Sequence, residues 1–269
     1  MYIFNTASEL KKQNEPFAFA TVIDSKGSSP GKIGFKMIVK SDGTSVGTVG
    51  GGAIEEEVIE EAIGRIHSGE NGTKEYLLSD KKESVKGDVT VVPMSCSGRV
   101  TVFYEVHGKL PTVYVFGGGH VGHALLYHLK PLNFFTTLID NRDEFANKGA
   151  NPNASQIALS KYDEYSMDFN PPDDSYFIIL THGHAYDYVI AKNIYLKKGK
   201  YPYVGVIASI SKAASIVSKL KKELGEEVNL SNFHSPVGLK IGGSTAEEIA
   251  LGIAAEIQSV YYHQLSKAE

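Results

Sequence analysis

Short apolar runs alternate along the second half of the chain with longer stretches in which apolar residues recur every three or four positions. Uninterrupted runs of this length are typical of buried strands, and the recurrent spacing is typical of one face of a helix. Strands that alternate with helices predict a doubly wound parallel sheet. The runs expected to form its strands cover residues 113–116, 134–139, 176–180 and 203–207.

The first half has a different pattern, in which strands outnumber helices. A helix is predicted over residues 54–66, and a shorter one after the capping-box pattern Thr6-x-x-Glu9. The polar, glycine-bearing stretch 67–88 is predicted to be a loop, and 107–111 a linker. The strands expected here cover residues 17–23, 37–39, 46–49, 89–92 and 99–106.

These patterns together predict an α/β protein with two domains. A smaller strand-rich α/β domain is expected over residues 1–108, and a Rossmann-like domain with a C-terminal helix over residues 111–269. The last helix is predicted to begin at a second capping-box pattern, Ser244-x-x-Glu247.

A glycine motif stands between the first strand and the first helix of the predicted Rossmann-like domain. In Gly117-x-Gly119-x-x-Gly122 the first glycine permits a sharp turn, the second leaves room for a phosphate, and the third allows close packing of helix and strand. Asp140 ends the next apolar run at about the distance expected of a ribose-binding acid. The pattern therefore predicts an anion site at a helix N-terminus, with a glycine-rich turn that binds nothing as the alternative.

Composition and charge narrow the class of protein. The 269 residues are 42% hydrophobic and 22% charged, which is typical of a packed globular protein. A net charge of −4 without a long basic run argues against nucleic acid as a partner. The N-terminal residues lack the features of a secretory signal, and no apolar stretch is long enough to span a membrane. We therefore expect a cytoplasmic protein.

Three further patterns carry candidate chemistry. Residues 50–52 are three glycines before a helix, which suits either a second anion site or close backbone packing. Cys96, the one cysteine, is either a reactive thiol or a packed side chain. The run His182-x-His184-x-x-Asp187 has side chains that bind zinc or iron, but we expect Asp187 to cap or orient the histidines instead.

Seven stretches, taken in order, resemble the XdhC/CoxI family, the accessory proteins of molybdenum hydroxylases such as xanthine dehydrogenase. The resemblance covers nearly the whole chain. The stretches are Gly27-Ser28-Ser29-Pro30 with Met37-Ile-Val39, Gly47-Thr-Val-Gly50-Gly51-Gly52 with Glu55, Cys96-Ser97-Gly98, Phe116-Gly117-Gly118-Gly119-His120-Val-Gly122, Asp140-Asn-Arg142 with Glu144-Phe-Ala-Asn147, Thr181-His182 with Asp187, and Ser235-Pro-Val-Gly-Leu239 with Glu247 and Glu256.

The resemblance implies a protein that binds the molybdenum cofactor (molybdopterin), assists its sulfuration with a cysteine desulfurase, and delivers it to the apo form of a molybdenum hydroxylase. Family members are commonly homodimers. It implies a cofactor site made from Gly117, Gly119, His120, Gly122, Asp140, Arg142, His182, Gly50, Gly51, Gly52, Ser28, Ser29 and Cys96.

The chain departs from the family pattern at three places. Gly31 and Lys32 stand where the family often has an arginine, Ala53 stands where some branches have a cysteine, and Ser97 follows Cys96 where a glycine is usual. Cys96 is thus the sole candidate thiolate ligand.

Two other functions remain open at this stage. Because an arginine after Asp140 can accept a 2′-phosphate, Arg142 keeps an NAD(P)-dependent oxidoreductase among the candidates. The histidine run keeps a metal-dependent hydrolase among them, although the chain shows no companion histidine cluster.

Overall fold

A computed structural model describes residues 2–80, 89–95 and 97–268 of the chain. The chain divides into two compact units, Met1–Lys109 and Leu110–Glu269. Within the described residues, each helix is too short or too polar to cross a membrane.

The N-terminal unit is a six-stranded sheet with helices. Its strands lie in the order β3-β2-β1-β6-β4-β5, with β4 and β5 parallel and the other neighbours antiparallel. Its elements are α1 (Tyr2–Gln13), β1 (Phe17–Gly27), β2 (Lys36–Lys40), β3 (Ser45–Gly47), α2 (Ala53–Ser68), β4 (Gly72–Ser79), β5 (Val89–Pro93) and β6 (Gly98–His107).

The alternation of side chains along β1 gives this sheet two apolar faces. Phe17 and Phe19 belong to a cluster with residues of α1, whereas Ala18, Ala20 and Val22 belong to the larger core under α2. Because successive residues of a strand point to opposite faces, one continuous apolar strand serves both helices.

Two predictions about the N-terminal unit are wrong. Residues 72–79 form strand β4 and not part of a loop. Its polar residues form ion pairs with neighbouring elements, Lys74 with Glu61 and Glu75 with Arg99. These pairs stabilise a strand whose sequence lacks the apolar run used to predict strands. The first helix begins at Tyr2, and the Thr6 hydroxyl donates to the Tyr2 carbonyl inside the helix, so Thr6 is not its cap.

The C-terminal unit is the predicted Rossmann fold. All strand pairs in its sheet are parallel, in the order β12-β11-β10-β7-β8-β9. Its elements are β7 (Thr112–Phe116), α3 (His120–Leu129), β8 (Phe135–Asp140), β9 (Gln156–Leu159), α4 (Tyr162–Asp168), β10 (Tyr176–Ile179), α5 (His184–Leu196), β11 (Tyr203–Val206), α6 (Ile210–Leu224), β12 (Phe233–His234) and α7 (Ala246–Ala268).

The order of the strands fixes where a ligand can enter. The chain builds outward from β7 through β8 to β9, then returns to the other side of β7 through β10. In open parallel sheets, ligands bind outside the carboxyl ends of the strands near such a reversal. Both faces of the sheet are covered, by α3 and α7 on one side and by α4, α5 and α6 on the other, which explains the uninterrupted apolar strands.

The cap of α7 lies one residue later than predicted. The Glu248 amide donates to the Thr245 hydroxyl, and the Glu248 carboxylate accepts from the Ser244 and Thr245 amides. The capping box is therefore Thr245-x-x-Glu248. The sequence satisfies the pattern in both registers, so the pattern by itself does not select between them.

Candidate functional site

The three glycines after β7 each meet a different steric requirement. Gly117 has a φ of 115°, and a Cβ there would lie 2.4 Å from the Leu180 carbonyl oxygen. A Cβ on Gly122 would lie 1.9 Å from the Gly117 oxygen. At Gly119 the nearest atom to an added Cβ is Nη2 of Arg142, at 4.0 Å. Gly117 and Gly122 thus permit the turn and its packing, and Gly119 leaves open space at the N-terminus of α3.

Asp140, at the end of β8, supports this turn from below. Its side chain is 0% exposed. One oxygen accepts from the Gly118 amide at 2.7 Å and from Arg142 Nη2 at 2.8 Å, and the other accepts from the Arg142 amide and Nε at 3.0 and 2.9 Å. The carboxylate therefore holds the glycine turn and Arg142 together.

The hydrogen bonds to Asp140 also fix its charge. Burial acts to raise the pKa of the carboxyl, but the hydrogen bonds from Arg142 and from the Gly118 amide outweigh it, and the pKa lies below its usual value. The same pairing raises the pKa of the Arg142 guanidinium. Both groups are consequently charged at neutral pH.

Arg142 reaches back over the turn and remains partly open to solvent. Its side chain is 29% exposed, and the guanidinium lies over the Phe145 ring at 4.1 Å. Two contacts thus orient it, the paired hydrogen bonds with Asp140 and the stacking on Phe145. This arrangement holds a positive charge next to Gly119.

Two buried polar atoms around the turn have no hydrogen-bond partner among the described residues. They are Oδ1 of Asn151 and Oδ1 of Asn141. The Tyr162 hydroxyl beside them lies within reach of the Asp140 carboxylate and the Asn141 amide. Asn151 is 1% exposed, and its Nδ2 donates to the Gly118 and Phe145 carbonyls. Burial, and then the charge of Asp140, raises the pKa of Tyr162, so its hydroxyl stays protonated at neutral pH. Unsatisfied buried polar atoms are uncommon and often mark binding sites.

A cavity of about 220 Å³ opens above the glycine turn. His123 on its wall is fixed by a 2.9 Å hydrogen bond with the Ala150 carbonyl. The cavity is lined by Gly118, Gly119, His120, His123, Glu144, Phe145, Ala150 and Glu247. Two of these residues, Glu144 and Glu247, are acidic and exposed, so the wall presents carboxylates as well as imidazole rings.

An ion pair that the sequence did not reveal joins the first turns of α5 and α6. The buried carboxylate of Asp187 accepts from the Thr181 hydroxyl and from Lys212 Nζ, the latter at 2.6 Å. Asp187 therefore holds Lys212 and Thr181. The expectation that it caps or orients the histidines stays a prediction, because the side chain of His184 lies outside the described residues. His182 is exposed and lies instead beside the rings of Tyr162 and Tyr186, at 6.2 and 5.8 Å.

The side chains around the histidine run do not make a metal centre in the described part of the chain. No group of three or more histidine, cysteine, aspartate or glutamate residues is placed there to hold an ion. The Asp187 carboxylate, a ligand that the metal interpretation needed, is already bound by Lys212 and Thr181.

The second glycine turn, at residues 50–52, already has an anion. The Glu55 carboxylate, in the first turn of α2, accepts from the Gly51 amide at 2.9 Å and from the Val49 amide at 3.2 Å. All three glycines have positive φ, and a Cβ on Gly50 would lie 2.7 Å from the Gly31 nitrogen. Close packing thus accounts for at least Gly50, and the chain's own carboxylate occupies the turn.

The other predicted residues of the N-terminal unit lie close to this turn. The Ser28 amide donates to the Ser97 carbonyl at 3.0 Å, and the Ser29 hydroxyl donates to the Gly31 carbonyl at 3.2 Å. A Cβ on Gly52 would lie 3.5 Å from Met94. The loops that contain Ser28, Gly50 and Ser97 therefore meet at one end of the sheet. Cys96 itself lies outside the described residues.

Sequence reasoning missed Asn151, Tyr162 and Lys212. The first two stand in stretches without a strong pattern, and Lys212 contacts a carboxylate 25 residues earlier in the chain. The polar residues Ser209, Ser211 and Lys212, which follow the predicted strand 203–207, are the one signal available for this segment.

Parallel strand order, a glycine turn against the first helix, and an acid at the end of the second strand define a Rossmann-class α/β domain. Residues 113–257 match the family described as the XdhC Rossmann domain, and residues 10–77 match the XdhC and CoxI family. Because the first match covers more than half of the chain, the protein belongs to the XdhC/CoxI family.

Similar proteins agree with this membership. A protein of Escherichia coli (strain K12), named the uncharacterised protein YqeB, is 31% identical over 266 residues, which are 97% of this chain and 46% of that protein. A Bacillus subtilis (strain 168) protein, named as a probable subunit of xanthine dehydrogenase, is 26% identical over 147 residues, 55% of this chain and 42% of that protein. The chain thus spans less than half the length of these curated relatives.

A solved structure shares the whole fold. The crystal structure of a xanthine dehydrogenase from Bacillus halodurans superposes with a TM-score of 0.52 at 20% identity, and the match covers 96% of this chain and 95% of the other. Likeness at this level of identity shows the fold and not the function.

Proposed function

We propose that this protein binds the molybdenum cofactor through its Rossmann domain and acts as an accessory protein for a xanthine dehydrogenase-type molybdenum hydroxylase. In this role it assists cofactor sulfuration, together with a cysteine desulfurase, and insertion into the apo-hydroxylase. A homodimer is the form we expect. Membership of the XdhC/CoxI family over both units carries the proposal.

The residues around the glycine turn fit the phosphate of such a cofactor. Space is open at Gly119, the helix behind it has no acidic residue in its first turn, and Arg142 lies beside it. The N-terminus of a helix favours an anion because its amides are unpaired and its dipole is positive there. When bound, the cofactor supplies the molybdenum centre with which a hydroxylase works.

The remaining predicted residues have separate tasks in the proposal. The exposed His182 ring, set among tyrosines, offers a flat surface and a hydrogen-bonding edge for a pterin ring. His120 begins α3 and lines the cavity. Ser28 and Ser29 belong to a loop of the N-terminal unit, and Cys96 stands between β5 and β6 in the sequence. We propose that these residues contact the cofactor or the sulfur donor.

Analysis of the ligand that co-purifies from a molybdenum-replete host tests this function. We expect denaturation of the protein to release molybdopterin or its nucleotide form, which mass spectrometry then identifies. Gly119→Val should abolish loading, because it places a branched side chain in the open space while φ at this position, −67°, suits any residue.

Gly108→Val is the matched control, since an added Cβ there meets no atom within 4 Å. It should load like the parent protein. Equal loading of the Gly119→Val and Gly108→Val proteins would show that the cofactor does not bind at the glycine turn. Recovery of a nicotinamide nucleotide and no pterin would replace the proposed function altogether.

One observation favours that second candidate, an NAD(P)-dependent oxidoreductase. The strand order and the glycine spacing are those of dinucleotide-binding domains. The same co-purification experiment separates the two functions, because the released ligands differ in mass and in absorption.

A further inference from the structure

We infer that the last helix, α7, is a dimer interface, at which it packs antiparallel against α7 of a second copy of this chain. The contact surface is a row of residues along the helix, which we call the α7 stripe. It consists of Leu251, Ala255, Gln258, Tyr262 and Leu265. This inference rests on the proposed function, which expects a homodimer but does not say where the two copies meet.

The members of the α7 stripe follow one another at intervals of four, three, four and three residues. This alternation keeps side chains on one side of a helix and is the spacing at which two helices pack along a seam. Leu251, Tyr262 and Leu265 are 48%, 55% and 43% exposed, so the described chain leaves them about half uncovered. On another side of α7, Ile253 and Ile257 are buried in the core of the Rossmann sheet. The helix therefore has a second apolar side, which the described chain leaves open.

The exposed side of α7 also lacks the charges that a solvated helix normally presents. Between residues 249 and 266 the sequence has no lysine, arginine or aspartate, and it has one glutamate, Glu256. The Glu256 carboxylate is engaged away from the stripe, where it accepts from the Tyr203 hydroxyl and the Gly238 amide. Interface centres are depleted of charge and enriched in tyrosine, whereas a helix face that stays in water is usually charged. The α7 stripe thus has the composition of an interface.

Two more exposed apolar residues lie beside the N-terminal end of the stripe. The Leu239 amide donates to the Gly252 carbonyl at 3.1 Å, and a Cβ on Gly252 would lie 3.8 Å from Ile241 Cγ1. Leu239 and Ile241 are about as exposed as the three large residues of the stripe. Five half-exposed apolar side chains offer roughly 100 Å² each, so two copies would bury about 1,000 Å² in total, the size at which a specific interface begins.

The residues of the α7 stripe suit a second copy of the same helix in the opposite direction. The large residues lie towards the two ends of the stripe, and the smaller or more flexible Ala255 and Gln258 lie between them. A two-fold axis near Gln258 therefore brings each large end against the opposite large end of the second copy. An amide both donates and accepts, so the two copies of Gln258 can hydrogen-bond near the axis.

The stripe has no charge of either sign, so two copies meet without like-charge repulsion. A parallel pair fits less well. It would bring Ala255 against its own copy, which leaves a gap in the seam, and it would align the two helix dipoles in the same direction.

Molar mass in solution tests the interface on the full chain. Size-exclusion chromatography with light scattering should give a dimer at micromolar protein concentration. Tyr262→Glu places a charge from each copy in the seam and should raise the dimer dissociation constant at least about thirtyfold, the effect of losing one interface hot spot. Met167→Glu is the matched control and should remain dimeric, because Met167 is an exposed apolar residue of α4, at the other face of the sheet.

Cysteine cross-linking tests the direction of the pair. A short thiol-reactive cross-linker should join two copies of Gln258→Cys, because both lie near the axis. It should not join two copies of Leu251→Cys, which an antiparallel pair holds roughly 20 Å apart along the helix at about 1.5 Å per residue. The parent chain, in which Cys96 is the one thiol, gives the background.

Three results would overturn the inference. They are a full chain that stays monomeric at high micromolar concentration, a dimer that folded Tyr262→Glu leaves as tight as before, and cross-linking of Leu251→Cys as efficient as that of Gln258→Cys. A monomer would assign the α7 stripe to a partner of another kind. Because these measurements need neither the cofactor nor the hydroxylase, the interface can fail while cofactor loading succeeds, and the two failures can be told apart.

Discussion

A single buried carboxylate, Asp140, connects the end of β8 to the glycine turn and to Arg142. Its position is the one predicted for a ribose-binding acid, but its four hydrogen bonds are all internal. At the scale of one residue, Asp140 has the position of a ligand contact but instead orients Arg142. The partly exposed Arg142 is the side chain that can reach a ligand.

The pH dependence of stability should reveal this role. Because the pKa of Asp140 is lowered in the folded protein, its contribution to the free energy of unfolding is complete above its unfolded pKa of about 3.9. That contribution is lost as the pH falls through the still lower folded pKa. Asp140→Asn should therefore cost about 2–3 kcal/mol at pH 7 and progressively less below pH ~4.

Urea unfolding at a series of pH values measures both effects. The exposed neighbour Asp143 offers the control, and Asp143→Asn should change little at any pH. A penalty for Asp140→Asn that stays constant from neutral to acid pH would show that the carboxylate is not ion-paired.

At the scale of the element, helix starts in this chain are satisfied in three ways. Thr245 and Glu248 cap α7 reciprocally, Glu55 of α2 binds back to its own glycine turn, and Ser209 accepts from the Lys212 amide at the start of α6. The starts of α3 and α5 each have a glycine at the N-cap, which offers no side chain to accept a hydrogen bond.

The register of the α7 cap gives a direct test. Thr245→Ala should lower the free energy of unfolding by about 1 kcal/mol, because it removes the hydroxyl that accepts from the Glu248 amide. Ser244→Ala should have little effect, since Ser244 contributes its backbone amide. Chemical denaturation of the two variants decides between the registers, and a larger loss for Ser244→Ala would restore the one that the sequence first suggested.

Prediction from the sequence succeeded where a feature depends on local spacing. The glycine turn, the strand before it and the helix after it follow from a few consecutive residues. Strand β4 was missed because its polar residues are stabilised by partners elsewhere, Lys74 by Glu61 and Glu75 by Arg99. The pairing of Asp187 with Lys212 was missed for the same reason. Such pairings depend on the fold, and a single sequence does not encode them in its spacing.

At the scale of the molecule, each of the two compact units has its own sheet and its own apolar core. The predicted α/β class and the Rossmann sheet are confirmed in the C-terminal unit. A unit whose core is complete within its own residues should fold when it is separated from the rest.

Expression of residues 110–269 tests this expectation. The fragment should be folded and should unfold in one cooperative thermal transition followed by circular dichroism. The full chain at the same concentration is the reference. A gradual, non-cooperative loss of signal in the fragment would show that the Rossmann sheet depends on the first 109 residues.

The pairing of Asp140 with Arg142 has a consequence for the rate at which cargo is exchanged. The guanidinium is balanced by a carboxylate before any ligand arrives, so departure of the ligand leaves no bare charge behind and requires no rearrangement of the turn. The reorganisation energy of loading and unloading is then small. The rate of ligand exchange should therefore be set by diffusional association and dissociation and not by a slow conformational step. For a protein proposed to deliver a cofactor, fast release at modest affinity is more useful than tight retention.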